Sequence, residues 1–246
     1  MKQSIIRIGS ALLDAIYPRT CPVCRDVVTP KGEMICPGCR ERLWYVTEPL
    51  CMRCGKEIVS EQDEYCAACE GKKVSFERGF AVFTYDDVMQ QAIADFKYRN
   101  RKELADFFAT EMAAVFRKKI RYPGIEALVP VPVHKARKKY RGYNQTEVLC
   151  EKLSRQIGVP MRNDILVRNR KTAPQKELGA TERLRNLEQA IGLNPQAIER
   201  TALPKVVLLT DDIYTTGSTA EACARVLLRG GVEKVYFFSI CIGTER

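Results

Sequence analysis

Short apolar runs alternate with amphipathic stretches over the carboxyl-terminal two thirds of this chain. The apolar runs, which are rich in β-branched and aromatic residues, predict strands at 80–85, 127–133, 206–210 and 235–240. Apolar positions at helical spacing predict helices at 87–98, 103–118, 144–157 and from 218 or 219 to 228. Strands that alternate with helices are typical of a mostly parallel sheet. The pattern therefore predicts an α/β domain with helices flanking that sheet.

The segment 163–204 is the least regular part of the pattern. It is long, polar and basic. A long loop inside a compact domain is usually functional or disordered. We therefore predict a loop here, with residues 163–186 as a mobile flap that closes over a site.

Cysteine dominates the amino-terminal part of the chain instead. Four C-x-x-C pairs, each beginning 15 residues after the previous one, are Cys21/Cys24, Cys36/Cys39, Cys51/Cys54 and Cys66/Cys69. A thiolate pair at that spacing grips one face of a tetrahedral ion, and two pairs complete a four-sulfur shell. The sequence therefore predicts a double zinc ribbon with two structural zinc ions.

The spacing leaves open which pairs share an ion. Sequential pairing is favoured, because 11 residues separate the first pair from the second and the third from the fourth. Pairing of the first with the third and the second with the fourth is the alternative. An iron–sulfur cluster is a weaker alternative. Since sulfur fills all four positions of each shell, the zinc ions are expected to be structural.

The chain divides into three predicted segments. The Cys-rich composition ends between residues 72 and 77, which places one of the two boundaries. Residues 1–19 predict an amphipathic helix, 20–74 the double zinc ribbon and 75–246 the α/β domain. Charges interrupt the apolar positions of the first segment and no small-residue cleavage site follows, which disfavours a signal peptide. Docking of this helix on its own protein is favoured, and contact with a membrane surface is the alternative.

The remaining cysteines indicate a reducing compartment. Cys150, Cys223 and Cys241 lie in ordinary α/β sequence and have the character of small buried apolar residues. The total of 11 cysteines is odd, which disfavours a disulfide framework. A cytoplasmic location is therefore expected. No apolar run is long enough to span a bilayer.

The strand predicted at 206–210 leads into the strongest chemical signal. Two carboxylates follow it, and the chain then turns into a helix through residues that can hold a phosphate; in order these are Asp211, Asp212, Thr215, Thr216, Gly217, Ser218 and Thr219. Backbone N–H groups, hydroxyls and a helix amino terminus suit a phosphate, and glycine allows its close approach. Carboxylates suit ribose hydroxyls or magnesium. The combination predicts a sugar-phosphate site at the carboxyl end of the strand.

The run 206–219 resembles the phosphoribosyl diphosphate (PRPP) signature of the type I phosphoribosyltransferases. The resemblance implies that Asp211 and Asp212 meet the ribose 2- and 3-hydroxyls, that residues 215–219 hold the 5-phosphate, and that magnesium binds together with PRPP. It also implies that a second loop, at 131–135, meets the diphosphate. His134 and Lys135 therefore join the expected PRPP-binding residues.

Further segments narrow the resemblance to one family. They are LVPVPVH at 128–134, KKYRGYNQ at 138–145, LVRNRKT at 166–172 and ERLRN at 182–186. Together with the cysteine pairs, and in this order, they resemble the ComF family of late competence proteins. Members of that family join an amino-terminal zinc module to a phosphoribosyltransferase-like domain. The resemblance covers nearly the entire chain.

The resemblance implies a cytoplasmic factor that assists single-stranded DNA uptake in natural transformation, near a helicase-like partner and the inner face of the membrane. The charge pattern is compatible with this role, because residues 97–185 carry 22 Lys and Arg against nine Asp and Glu. The basic segments are 97–102, 117–121, 135–141 and 168–176. Tyr98, Tyr140 and Tyr143 lie among them and either stack on bases or pack in the core. Candidate contacts to DNA or to the diphosphate are Lys138, Lys139, Arg141, Arg168 and Lys171.

An active phosphoribosyltransferase of nucleotide metabolism is the alternative function. Transfer needs PRPP, magnesium, a nucleophilic acceptor and a site that excludes water. The sequence suggests the first two but identifies no acceptor base and no recognisable hood, whose place the zinc module is a candidate to take. His134, the one histidine of the chain, suits either acid–base catalysis or an anion contact. A zinc scaffold with an inactive site is the third hypothesis.

Overall fold

The structure, a computed structural model, describes residues 18–120, 124–169 and 180–243, so most of the helix predicted over 1–19 lies outside the described residues. The helices are α1 Pro37–Arg40, α2 Asp87–Tyr98, α3 Leu104–Lys119, α4 Lys135–Arg141, α5 Gln145–Ile157, α6 Ala180–Ala190, α7 Pro195–Arg200 and α8 Ser218–Arg229. The strands are β1 Gly79–Thr84, β2 Ala127–Pro130, β3 Leu166–Arg168, β4 Ile191–Leu193, β5 Val206–Tyr214 and β6 Lys234–Ile242. Within these ranges, no helix combines the length and the apolarity that crossing a bilayer requires.

Four strands form the central sheet in the order β1–β6–β5–β2, and every neighbouring pair is parallel. β5 and β6 are almost wholly buried, as expected of strands covered on both faces. The predicted fold class is confirmed: a mostly parallel sheet flanked by helices, with a Cys-rich module at the amino-terminal side.

Successive side chains of the central strand β5 enter different apolar cores, one on each face of the sheet. On β5, Leu208 joins the core that contains the residues of α2, α3 and α5. Its neighbours Val207 and Leu209 join the core that contains α6 and α8. Because both faces are covered, polar side chains are accommodated mainly at the carboxyl edge of the sheet.

Strand β5 is longer than predicted. Its expected end was residue 210, but the ladder to β6 continues, with Asp211 opposite Ser239 and Tyr214 opposite Ile242. The two aspartates therefore lie within the strand, on a backbone that the sheet holds on one side. A rigid strand orients these side chains more strictly than a loop would.

The loop predicted over 163–204 is wrong for the described part of that segment. β3 pairs with β4 in an antiparallel ribbon, and α6 and α7 flank it. Leu187 of α6 is buried in the same core as Leu227 of α8. Residues 170–179, which belong to the predicted flap, lie outside the described residues.

The Cys-rich module packs directly on the α/β domain. Residues next to Tyr45 extend the free edge of β1, because Val46 N donates to Val82 O at 2.9 Å and Thr84 N donates to Trp44 O at 2.9 Å. At a second contact, a Cβ on Gly55 would lie 2.5 Å from the carbonyl oxygen of Gly79. Backbone therefore meets backbone at this contact, and glycine is needed there.

Candidate functional site

The turn after β5 forms a small cradle at the carboxyl edge of the sheet. Gly217 is the N-cap of α8 and has φ of 78°, a left-handed conformation that favours glycine. The Tyr214 ring packs beneath it, so closely that a Cβ on Gly217 would lie 2.4 Å from the Tyr214 hydroxyl. The hydroxyls of Thr216 and Ser218 lie 3.0 Å apart. A cavity of about 50 Å³ is lined by residues 215–219 together with the end of β5.

Asp212 is held by two donors. Lys97 Nζ lies 2.7 Å from Asp212 Oδ1, and Gln145 Nε2 donates to Oδ2 at 2.8 Å. All three side chains are buried or nearly so, with Lys97 16% and Asp212 6% exposed. Burial is the largest single influence and lowers the pKa of Lys97, but the charge and hydrogen bond of Asp212 together with the charge of Asp211 outweigh it, so the pKa is raised. The pair is therefore a buried ammonium–carboxylate ion pair.

Asp211 has a different environment from its neighbour. Burial and, to a lesser degree, the neighbouring Asp212 charge outweigh the lowering effect of Lys97, and together they raise the pKa of the Asp211 carboxyl to about 7. Asp211 Oδ1 accepts a hydrogen bond from Asp212 N at 2.8 Å. The two adjacent carboxyls are thus distinguished: Asp212 is ion-paired, whereas Asp211 is close to half protonated at neutral pH.

Both aspartates face a cavity of about 170 Å³ between β5 and the turn after β2. The turn contributes Val131, Pro132 and Val133 to the lining. Four cationic side chains from α2, α4 and β3 line the same cavity; they are Lys97, Arg137, Arg141 and Arg168. Two carboxylates among four cations suit a ligand that carries both hydroxyls and anionic groups.

The cation Arg141 is held in a network that closes on α2. Its Nη1 donates to Gln145 Oε1 at 2.7 Å, and its Nη2 donates to the Tyr98 hydroxyl at 3.1 Å. The guanidinium also stacks on the Tyr98 ring at 4.7 Å from the centroid. The contacts therefore form a closed chain. It runs from Lys97 to Asp212, Gln145 and Arg141, and ends at Tyr98, which follows Lys97 on α2.

The other expected anion contacts lie around helix α4. His134 is the N-cap of α4, and its Nδ1 accepts from Ala136 N at 3.1 Å. Lys135 and Lys139 are exposed on the helix. Lys138 forms a half-exposed ion pair with Glu147 at 2.9 Å. Lys171 lies outside the described residues.

The three tyrosines among the basic segments have different positions. Tyr143 is buried against Phe96, and its hydroxyl donates to the Phe96 carbonyl. Tyr140 is 83% exposed and Tyr98 is 61% exposed. Core packing is thus confirmed for Tyr143, while Tyr98 and Tyr140 remain accessible.

The cysteines form two four-sulfur groups. One contains Cys21, Cys24, Cys36 and Cys39, and the other contains Cys51, Cys54, Cys66 and Cys69. Within each group the sulfur atoms lie within 4.8 Å of one another, which fits the shell of a tetrahedral zinc ion. Sequential pairing is therefore confirmed. We call these groups ribbon 1 and ribbon 2.

A larger cavity lies between ribbon 2 and the carboxyl edge of the sheet. It measures about 490 Å³ and includes Thr215 and Thr216, from the cradle after β5, in its lining. Aromatic and cationic side chains complete the wall, among them Tyr85, Tyr214 and Lys72. Ribbon 2 thus covers the edge at which ligands of open α/β sheets bind.

Three residues that line the 170 Å³ cavity between β5 and the turn after β2 were not predicted from the sequence. They are Lys97 and Arg137, as site residues, and Gln145, as the partner of Asp212. Lys97 belongs to the basic segment 97–102, which predicts a contact with a nucleic-acid backbone and not with Asp212. A usable signal existed, because Lys97 follows the buried Ile93 by four residues and therefore shares its face of α2.

Comparison with known proteins agrees with this organisation. A family model described as the double zinc ribbon domain matches residues 12–70. Competence protein F of Haemophilus influenzae is 30% identical over 176 residues, which cover 70% of this chain and 76% of the relative. Competence protein ComFC of Bacillus subtilis is 35% identical over 152 residues, which cover 61% and 58% of the two chains. DNA utilization protein YhgH of Escherichia coli is 30% identical over 70% of this chain and 75% of its own.

Solved structures with partial similarity include an adenine phosphoribosyltransferase, at 15% identity and a TM-score of 0.35, which matches over 70% of this chain and 84% of that chain. A hypoxanthine phosphoribosyltransferase from Trypanosoma cruzi has 16% identity and a TM-score of 0.31, over 57% and 66% of the two chains. These matches are too partial to bear on function.

The parallel sheet, the polar turn at its carboxyl edge and the two four-cysteine groups define an α/β protein with an amino-terminal double zinc ribbon. Within that class, the chain belongs to the family of competence protein F, also represented by ComFC and YhgH. The family predicted from the order of sequence motifs is therefore confirmed.

Proposed function

We propose that this protein is a DNA-uptake factor of natural transformation that acts in the cytoplasm and binds PRPP with magnesium at the carboxyl edge of its sheet. The names of its relatives, two competence proteins and a DNA utilization protein, support the first part. One observation carries the second part. The phosphate cradle, the two aspartates and the four cations converge at this edge.

In this proposal the parts of the ligand meet different elements. Residues 215–219 hold the 5-phosphate through backbone N–H groups and hydroxyls. Asp211 and Asp212 accept from the ribose hydroxyls. The diphosphate lies against the turn after β2, where Arg137 and Arg141 are the nearby cations. The chemistry of the donors fits magnesium, which prefers one or two carboxylates together with phosphate oxygens.

The test is a calorimetric titration of the zinc-loaded protein with PRPP and magnesium. Wild type should show saturable binding, and the double variant Asp211→Asn/Asp212→Asn should lose at least about tenfold in affinity. A folded wild type that does not bind would contradict the PRPP assignment. The DNA assignment would then be tested by itself.

Single-stranded DNA is assigned to the exposed face of α4 and its surroundings. Lys135, Lys139 and Tyr140 are exposed there, and Tyr98 presents a second ring nearby. Cations that follow a phosphate backbone and rings that stack on bases are the features of single-strand binding. A helicase-like partner and the inner face of the membrane remain part of the proposal as neighbours of this face.

Fluorescence anisotropy with a labelled oligonucleotide tests this face. Lys138→Glu/Lys139→Glu should weaken binding by about tenfold or more at low salt and reduce the salt dependence of the affinity. The matched control is Lys205→Glu/Lys234→Glu, which reverses two exposed charges at the amino ends of β5 and β6. Equal losses in both variants would contradict a specific DNA face.

The cavity beneath ribbon 2 favours phosphoribosyl transfer as a second candidate function. Its volume of about 490 Å³ admits a planar heterocycle, and its lining shares Thr215 and Thr216 with the phosphate cradle. Release of diphosphate from PRPP in the presence of common nucleobases tests this activity. Turnover that Asp211→Asn/Asp212→Asn abolishes would support it. Absence of turnover with every base, in protein that binds PRPP, would favour a binding role.

A further inference from the structure

The ion pair between Lys97 and Asp212 has a consequence for ligand choice. Both carboxylate oxygens of Asp212 already accept from buried donors, Lys97 at 2.7 Å and Gln145 at 2.8 Å. A sugar diol needs the same oxygens as acceptors. A diol that approaches Asp212 must therefore compete with at least one of these donors.

Lys97 is the donor that ligand binding is best placed to displace. Gln145 is anchored through its other amide atom, because its Oε1 accepts from Arg141 at 2.7 Å. Lys97 is a single charge on a flexible stem and lines the same cavity as Pro132, Val133 and Arg137. Its ammonium therefore faces both Asp212 and the space next to the turn after β2.

Displacement is unfavourable unless the ammonium finds another anion. Lys97 is largely buried, and a buried ammonium separated from its carboxylate is strongly destabilised. The ionisable groups near it include Asp211 and Asp212 of β5, the cation Arg141 of α4, and Tyr85 and the Cys241 thiol. Asp211 is no ready replacement, because it lies beside Asp212 on β5 and its Oδ1 already accepts from Asp212 N at 2.8 Å. A ligand that brings its own anion removes the penalty.

We propose that Lys97 exchanges partners when ligand binds and thereby selects sugars that carry both a vicinal diol and a diphosphate. The ammonium leaves Asp212 for the diphosphate oxygens, and the diol takes its place on Asp212. A sugar phosphate without the diphosphate would free the diol site only by leaving the ammonium unpaired. This inference rests on the PRPP site proposed above and makes Lys97 its specificity-determining residue.

The experiment compares PRPP with ribose 5-phosphate, which lacks the diphosphate, in calorimetric titrations with magnesium. Wild type should bind PRPP at least about 100-fold more tightly. Lys97→Met should weaken PRPP by about tenfold, because an anion contact is lost. The same variant should bind ribose 5-phosphate several-fold more tightly than wild type, because Asp212 no longer has a competing cation. The two affinities thus move in opposite directions.

Three further variants make the result decisive. Lys97→Arg keeps the charge and should keep the preference for PRPP. Lys97→Gln keeps a donor without the charge and replaces Lys97→Met if that variant does not fold. Lys234→Met, at an exposed lysine that begins β6, should leave both affinities unchanged.

Parallel weakening of both ligands in the Lys97 variants would overturn partner exchange, while the PRPP site itself would stand. The same conclusion would follow if ribose 5-phosphate bound wild type as tightly as PRPP. A wild type that binds neither ligand would overturn the proposed PRPP site and this inference with it.

Discussion

Ribbon 1 and ribbon 2 share one cysteine spacing but contact the α/β domain in different ways. Ribbon 1 docks on the helices through ion pairs: Arg25 meets Asp95 of α2 at 2.8 Å, and Arg40 meets Glu111 of α3 at 2.9 Å. Its buried cysteines join the core on the face covered by α2 and α3. Ribbon 2 instead packs its buried cysteines into the opposite core.

Ribbon 2 also stands at the carboxyl edge of the sheet. Its cysteines share a core with Phe76, Tyr214 and Phe237, and Tyr214 packs beneath Gly217 of the cradle after β5. All four of its cysteines are buried, whereas two of those in ribbon 1 are partly exposed. The same four-cysteine motif therefore occupies two different structural positions in this protein. Ribbon 1 packs against helices α2 and α3, whereas ribbon 2 lines one side of the candidate site.

Removal of one zinc ligand should give the largest effect. Cys66→Ser in ribbon 2 should abolish one of the two zinc sites, destabilise the protein by at least about 4 kcal/mol and weaken PRPP by more than about tenfold. Cys36→Ser in ribbon 1 should also lose one zinc but change PRPP affinity by less than about threefold. Zinc content, thermal unfolding and calorimetry measure the three quantities. Equal loss of PRPP affinity in both variants would contradict the distinction between the ribbons.

The docking of ribbon 1 depends on a buried carboxylate. Asp95 is 1% exposed and lies within 3.4 Å of Arg25, Arg99 and Arg101. Asp95→Ala should cost about 3 kcal/mol in unfolding free energy, because it removes the anion that these arginines share. Asp106→Ala, which breaks a more exposed ion pair with Lys152, should cost less than about 1 kcal/mol. Chemical denaturation of both variants is the measurement, and similar losses would argue against an electrostatic dock.

The docking of ribbon 2 depends on the absence of a side chain. Gly55→Ala places a Cβ 2.5 Å from Gly79 O and also requires an alanine at φ of 76°. We expect a loss of about 2–3 kcal/mol. Gly38→Ala, in ribbon 1, meets no atom within 4 Å and should change stability by less than about 1 kcal/mol. Gly71→Ala, at φ of 67° with open space around it, isolates the cost of the backbone conformation. A Gly55→Ala loss no larger than that of Gly71→Ala would show that the contact is loose.

Asp211 gives the smallest and most specific test. Its folded pKa of about 7 exceeds the ordinary value of 3.8, so folding binds a proton and stability should fall as pH rises from about 4 through 7. Asp211→Asn should therefore stabilise the protein relative to wild type, by roughly 2 kcal/mol more at pH 8 than at pH 5. Denaturant unfolding at the two pH values measures this change. A difference that stays constant with pH would mean that Asp211 is ionised in the folded protein. Unlike Asp95, which three arginines contact, Asp211 is partly buried beside a second carboxylate, which fits a site kept ready for a ligand.

Local sequence patterns predicted the elements that carry strong periodicity. The buried strands, the helices next to them and the sequential cysteine groups lie where apolar period and spacing indicate them. The far end of β5 was missed because Asp211 and Asp212 resemble a strand end, although the ladder to Ser239 and beyond continues through them. The β-propensity of residues 211–214 does not show that β6 supplies hydrogen-bonding partners for them.

Other features depend on contacts between distant parts of the chain. β3 and β4 have three residues each and pair with one another across α6, so neither has a clear pattern of its own. Lys97 is buried because Asp212, far along the chain, supplies its counter-charge. A sequence rule that assigns lysine to the surface cannot anticipate a partner brought in by the fold.

The pairing of β1 with β6 has a consequence for synthesis and folding. Gly79, in the first strand of the sheet, meets Phe237, in the last. Ribbons 1 and 2 precede β1 in the chain, so both metal sites can close while most of the α/β domain is still to be translated. Until β6 arrives, residues 44–46 can pair with only one edge of β1, and its other edge has no strand to join. We therefore expect the carboxyl edge of the sheet to assemble late in folding, in a non-local step that is slow and depends on protection of the exposed strand.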